Sequence, residues 1–189
     1  MVRLSTFKGE SMEKIGIMGV GNILLGDEGF GVHFIEYFKK RYDVPENVEL
    51  IDGGTAGIFL SPLIDYIKKL IIIDVVAVDA EPGSLFTYDK EDFYIDNLPL
   101  KLSPHQIGLQ EVLLLNDIKG SCPEYVKLIG VVPASLEPDT ELSPILKEKL
   151  KDVEKLVIEE LEALGVKVKP KAASGEEERI WWERDKKEV

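Results

Sequence analysis

Residues 14–32, KIGIMGVGNILLGDEGFGV, constrain this chain more than any other stretch. Positions 14–20 form a short apolar run ending at a glycine, which predicts a buried first strand. From Gly31 onward Val32, Ile35, Phe38 and Tyr42 recur at steps of 3, 3 and 4, the spacing of one helix face. A buried strand followed by a glycine turn and a helix needs parallel neighbours and helical cover, so it commits the chain to an α/β architecture.

The alternation continues. Residues 48–51 predict a second strand running into the loop DGGTAG, 52–57. Leu60, Leu63, Ile64 and Ile67 mark a short helix, and 70–73 a third strand ending at Asp74. Further strands are predicted at 84–88 and 127–132, with a helix over 109–119 between them. The last helix carries the clearest punctuation: Ser143 as N-cap, Pro144 at the first position and Gly165 beyond the end. Its apolar face is Leu146, Leu150, Val153, Val157, Leu161 and Leu164. The expected fold is one three-layer α/β domain over 14–169, a mostly parallel twisted sheet with helices on both faces. An N-terminal extension (1–13) and a charged tail (170–189) flank it; the tail is expected to be mobile or loosely docked, with Trp181 and Trp182 as its candidates for a docking role. A length of 189 residues with 44% apolar content suffices for one such core.

A net charge of −12 argues against nucleic acid or an anionic membrane as the main partner. No segment approaches the roughly 20 apolar residues of a membrane span, and the opening residues lack the apolar stretch of a signal sequence. The single cysteine, Cys122, excludes an internal disulfide framework and a four-cysteine zinc site. These features predict a cytoplasmic protein.

In a parallel α/β sheet, ligands gather beyond the carboxyl ends of the strands. Asp27 and Glu28 follow the first strand, Asp74 the third, and His105 falls in the predicted loop LSPHQIGL. Two carboxylates and an imidazole suit a divalent transition metal. The ordinary alternatives are capping of the next helix by Asp27 and Glu28, and loop hydrogen bonding by Asp74. His33, inside the first helix, is expected to pack or to lie at the surface. A dinucleotide site fails at this turn, because Leu24 stands where the third glycine belongs and the two acids would repel a pyrophosphate. The DGGTAG loop admits two readings: a segment that shapes itself around an extended peptide, or a tight turn capped by Asp52 or Thr55.

GVGNILLGDEGFGV, LIDGGTAG, IIIDVV, SPHQIGL and IGVVPASLEP occur in the order found in the hydrogenase maturation endopeptidases, the HybD/HycI-type processing proteases of nickel–iron hydrogenases. Over about 14–168 the chain resembles that family. The resemblance implies an endopeptidase that removes the C-terminal extension of a hydrogenase large-subunit precursor after nickel insertion. It implies that Glu28, Asp74 and His105 contact nickel carried by the substrate, a position that zinc or cadmium would also occupy. Asp79 does not fall on the family's aspartate position. Asp27 and the loop residues Asp52, Gly53, Gly54, Thr55 and Gly57 match positions near the cleft, which makes Asp27 a candidate proton carrier and the loop a candidate substrate seat. The mechanism stays open between an aspartic-type and a metal-assisted route. A non-proteolytic nickel carrier or docking module for the same subunit is the alternative function.

Overall fold

A computed structural model describes residues 12–94 and 104–171. The strands are β1 (Ile15–Val20), β2 (Tyr42–Asp43), β3 (Val48–Gly54), β4 (Lys69–Val75), β5 (Leu85–Asp89), β6 (Tyr125–Val131) and β7 (Lys169–Pro170). The helices are α1 (Phe30–Arg41), α2 (Ser61–Ile64), α3 (Pro104–Lys119) and α4 (Pro144–Ala163), with short 3-10 turns at Gly26–Gly29, Gly57–Leu60 and Lys90–Tyr94. Five strands form the main sheet in the order β3-β1-β4-β6-β5. All neighbours are parallel except β5, which runs antiparallel to β6 at the edge. β2 and β7 pair separately as a two-residue clip.

Strand alternation divides the core into two layers. Ile15, Ile17, Ile71, Ile73, Ile129 and Val131 face one side, where α1 and α4 cover them with Phe34, Phe38, Val153 and Val157. Met18, Leu70, Ile72, Val126 and Leu128 face the other, beneath Leu60 and Ile64 at α2 and Leu109, Val112 and Leu113 of α3. This is the expected three-layer domain with its mostly parallel sheet. Among the described residues no helix is long and apolar enough to cross a membrane.

Three details differ from the sequence expectation. The face of α1 is broader than four residues, since Phe30 and Phe34 are also fully buried. Tyr42 leaves the helix with extended backbone, yet its ring still stacks on Phe38 at 4.8 Å between centroids. The third difference is α3, which begins at Pro104, so that His105 stands on the first turn of a helix and not in a loop. Proline needs no N–H partner at a helix start, and the Ser-Pro pair at 103–104 repeats the sequence that opens α2 and α4.

α1 and α4 are joined by a buried polar contact. The Glu154 carboxylate accepts hydrogen bonds from the hydroxyls of Tyr37 and Tyr42, both at 2.6 Å, and from Arg41 Nε at 3.2 Å. Near the chain's described end, Lys171 N–H donates to the Arg41 carbonyl at 2.8 Å, holding the β2–β7 clip closed.

The placement of α1 depends on contact between backbones. A methyl group on Gly31 would lie 2.2 Å from the carbonyl oxygen of Ile73 and 2.4 Å from that of Val20. A methyl on Gly19 would lie 2.0 Å from the Gly31 oxygen. The first turn of α1 therefore rests directly on the seam between β1 and β4. Gly31→Ala is expected to lower stability by about 3 kcal/mol or more, because backbone must shift. Gly16→Ala, whose methyl would meet only side chains at 3.1 Å and beyond, should stay within about 1 kcal/mol of the parent. Urea unfolding of both variants measures the contrast.

Candidate active site

β1 lies between β3 and β4, and the chain leaves it toward β3 through α1 before crossing back to β4. The carboxyl ends of β1 and β4 thus form the switch point at which open α/β sheets place their sites. The 3-10 turn Gly26–Gly29 covers this point and packs against β4. Its two acids, both buried, have different partners.

Asp27 is almost completely enclosed. Its Oδ2 accepts from the N–H groups of Ala134 (2.8 Å) and Ser135 (3.1 Å), and its Oδ1 from the N–H of Ser143 (2.7 Å). Backbone bonds reinforce the contact: Gly26 N–H donates to the Asp139 carbonyl at 2.8 Å and Asp27 N–H to that of Ser135 at 3.3 Å. The loop 133–143 between β6 and α4 is thereby laced to the acid turn.

Asp74 is the penultimate residue of β4 and fully buried. Strand alternation puts it on the α2–α3 face with Leu70 and Ile72. Its Oδ1 accepts from the Val75 N–H at 2.7 Å, while Oδ2 has no hydrogen-bond partner among the described residues. Burial pushes the carboxyl well above the usual aspartate range. The single backbone bond opposes this, and the neighbouring Glu28 carboxylate raises it further. Glu28 and Asp74 therefore share one electrostatic environment at the β1–β4 seam.

His105 is carried to the same end of the sheet by the first turn of α3. A methyl on Gly108, one turn further along, would lie 3.0 Å from Gly57 Cα in the loop after β3. The His105 side chain lies outside the described residues. Among the described residues no group of three or more His, Cys, Asp or Glu side chains is arranged to hold a metal ion.

The segment expected to be a peptide-shaping loop or a tight turn capped by Asp52 or Thr55 is partly strand, because β3 runs to Gly54. Asp52 Oδ1 accepts from the Gly54 N–H at 3.0 Å, and the Gly54 carbonyl accepts from the Gly21 N–H at 2.9 Å. Gly54 and Gly57 have φ of +45° and +52°, so any larger residue there is strained whatever it touches. A cleft of about 260 Å³ opens between residues 21–24 on one side and Asp52, Gly54 and Thr55 on the other. Asp79 is exposed in the loop after β4.

Known proteins are similar to this chain in sequence and in overall fold. The family model described as HycI, hydrogenase maturation protease, matches residues 32–160. The chain belongs to the hydrogenase maturation protease family. The hydrogenase expression/formation protein HupD of Bradyrhizobium diazoefficiens is 37% identical over 169 residues, 88% of this chain and 88% of that protein. The hydrogenase 2 maturation protease of Escherichia coli is 37% identical over 163 residues, 85% of this chain and 98% of its own length. The solved structure of the hydrogenase maturating endopeptidase HybD from E. coli matches with a TM-score of 0.78 at 37% identity, covering 84% of this chain and 98% of that one.

In this family member, Glu28 and Asp74 stand at the strand ends where the sequence places them. The loop 133–143, whose amides hold Asp27, enters the sequence reading only through Ser143 as N-cap of α4, without its tie to Asp27. Its signal was the stretch IGVVPASLEP, which carries part of the family resemblance.

His33, one turn into α1, is fully buried, with Nε2 beside the Gly29 backbone. Burial lowers its pKa from 6.5 to about 4, aided by the Lys147 charge and opposed by Asp27. The folded state resists the proton that the unfolded chain accepts. Its contribution is therefore full above pH 6.5 and is lost as pH falls toward 4, a change of about 3 kcal/mol. The ring protons of His33 should titrate near pH 4 by NMR, and stability should fall across that window by less in His33→Gln than in the parent.

Proposed function

We propose that this protein is the endopeptidase that removes the C-terminal extension of a nickel–iron hydrogenase large-subunit precursor once nickel is in place. On this reading it recognises substrate-held nickel through Glu28, Asp74 and His105. The observation that carries the proposal is Asp74: a fully buried carboxyl beside a second acid, with one oxygen bonded by a backbone amide and the other without a hydrogen-bond partner among the described residues. Burying such a group costs free energy unless something compensates, and a divalent cation does so. The donor set of two carboxylates with an imidazole suits nickel, and equally zinc or cadmium.

Nickel arrives here as part of the substrate and supplies Lewis acidity at the scissile carbonyl or at a water molecule. The chain's own residues orient and exclude. The 3-10 turn presents Glu28 at the seam, β4 holds Asp74 in a dry position, and α3 brings His105 to the same end of the sheet. The raised pKa of Asp74 also fits general acid–base work, the aspartic-type route. Asp27, with its carboxylate engaged by three amides, is better suited to holding the turn than to carrying protons. The cleft between 21–24 and 52–55 adjoins the acid turn and seats an extended segment of the precursor.

Mass spectrometry of precursor incubated with the protein tests the reading. Nickel-loaded precursor should lose its extension, whereas with a carrier it would keep its length, and precursor stripped of nickel should stay uncut. Glu28→Gln, Asp74→Asn and His105→Ala should each slow cleavage at least about 100-fold with the fold intact, and Asp79→Asn by no more than about 3-fold. Normal turnover by folded Asp74→Asn would end the recognition model. Gly54 and Gly57 are unsuitable probes of the cleft because of their positive φ, whereas Thr55 is exposed. Thr55→Trp should raise KM about 10-fold with kcat and melting temperature unchanged.

A further inference from the structure

We infer that Asp27 is a positioning residue, and that the loop 133–143 belongs to the active site as the fixed wall against which Asp27 sets Glu28. The effect of this clamp on turnover rests on the proteolytic reading; the clamp itself rests on the contacts of Asp27. Three backbone N–H groups from one loop converge on this one buried carboxylate, at 2.7, 2.8 and 3.1 Å. Such a cradle fills most of a carboxylate's accepting capacity and fixes its position in the ladder of backbone bonds around it. Those bonds run both ways: Gly26 N–H to Asp139, Asp27 N–H to Ser135, and Asp139 N–H back to Leu24 at 3.2 Å. The turn that carries Glu28 is therefore indexed to the loop at Asp27 and at Leu24 and Gly26 just before it. Glu28 follows Asp27 directly, so a shift of the clamp is a shift of the neighbouring carboxylate against Asp74.

The same loop has a second anchor. Ser143 donates its N–H to Asp27 and caps α4 through its side chain, which accepts from the Leu146 N–H at 3.3 Å. The long helix and the acid turn thus share one residue. Leu136, Glu137 and Asp139 remain exposed between these anchors.

Two kinds of variant test the inference. Asp27→Asn replaces one acceptor with a donor that faces amide donors, and should lower kcat about 100-fold while KM stays within about 2-fold, because misplacement of a reacting group by about 1 Å costs that much. Amide exchange should rise at Ala134, Ser135 and Ser143 while β1 and β4 keep their protection. Should Asp27→Asn fail to fold, the Ser143 pair decides. Ser143→Ala removes the cap hydroxyl and keeps the N–H, whereas Ser143→Pro also removes the N–H at a residue whose φ of −57° already suits proline. A kcat reduced at least about 5-fold in Ser143→Pro relative to Ser143→Ala, at equal folding, supports the clamp. Equal kcat in the two Ser143 variants, or parental kcat in folded Asp27→Asn, overturns it. A precursor left uncut by the parent protein overturns the proteolytic reading instead. In that case the exchange rates of the three amides decide the clamp, and unchanged protection in Asp27→Asn rejects it.

Discussion

Backbone contact without intervening side chains, Gly19 against Gly31 and Gly31 against Val20 and Ile73, is the constraint on which the rest of this molecule depends. It lets α1 begin directly above the β1–β4 seam, with the short turn Gly26–Gly29 running straight into the helix at that point. A larger residue at either glycine would lift the helix and open the seam to water. The acids of the turn would then sit in solvent, where a carboxylate is ordinary. Close packing of the helix start is what makes a buried pair of carboxyls possible there.

Two aspartates in this small region illustrate how hydrogen bonding divides roles among identical side chains. Asp27 and Asp74 are equally hidden from solvent. One is met by three amides and serves as a structural tie, while the other receives one amide and is driven toward its neutral form. Residue type and burial do not distinguish them. The number of donors aimed at each oxygen does, and that number is set by a loop more than a hundred positions away, as the separations of 107, 108 and 116 residues show.

That separation explains which parts of the structure were legible in the sequence. Strands and helices with strong local periodicity, β1, β4 and α4 above all, follow from spacing alone. Glu28 and Asp74 follow from the rule that sites lie beyond strand carboxyl ends, because that rule needs only the order of elements. The start of α3 was locally readable: α2 and α4 open on Ser-Pro as well, yet the polar surroundings of the pair before His105 suggest a loop. The partners of Asp27 were not readable, since nothing in the spacing of GDEG points to Ala134 or Ser143. The exposure of Thr55 and the positive φ at Gly54 and Gly57 also depend on how β3 runs past its predicted end, a matter of pairing with β1.

The β2–β7 clip has a practical consequence. It ties Lys171 to the last turn of α1, with Lys171 Nζ also donating to the Lys39 carbonyl at 2.7 Å. α1 is 12 residues long, so this tie lies about 18 Å along the helix from the acid turn. The clip thus lies at the end of α1 remote from Glu28 and Asp74. Surface attachment through the exposed Lys169 of this clip would keep the acid-lined side free in interaction assays. On the proposed reading, labels placed in 52–57 or 133–143 would obstruct the precursor.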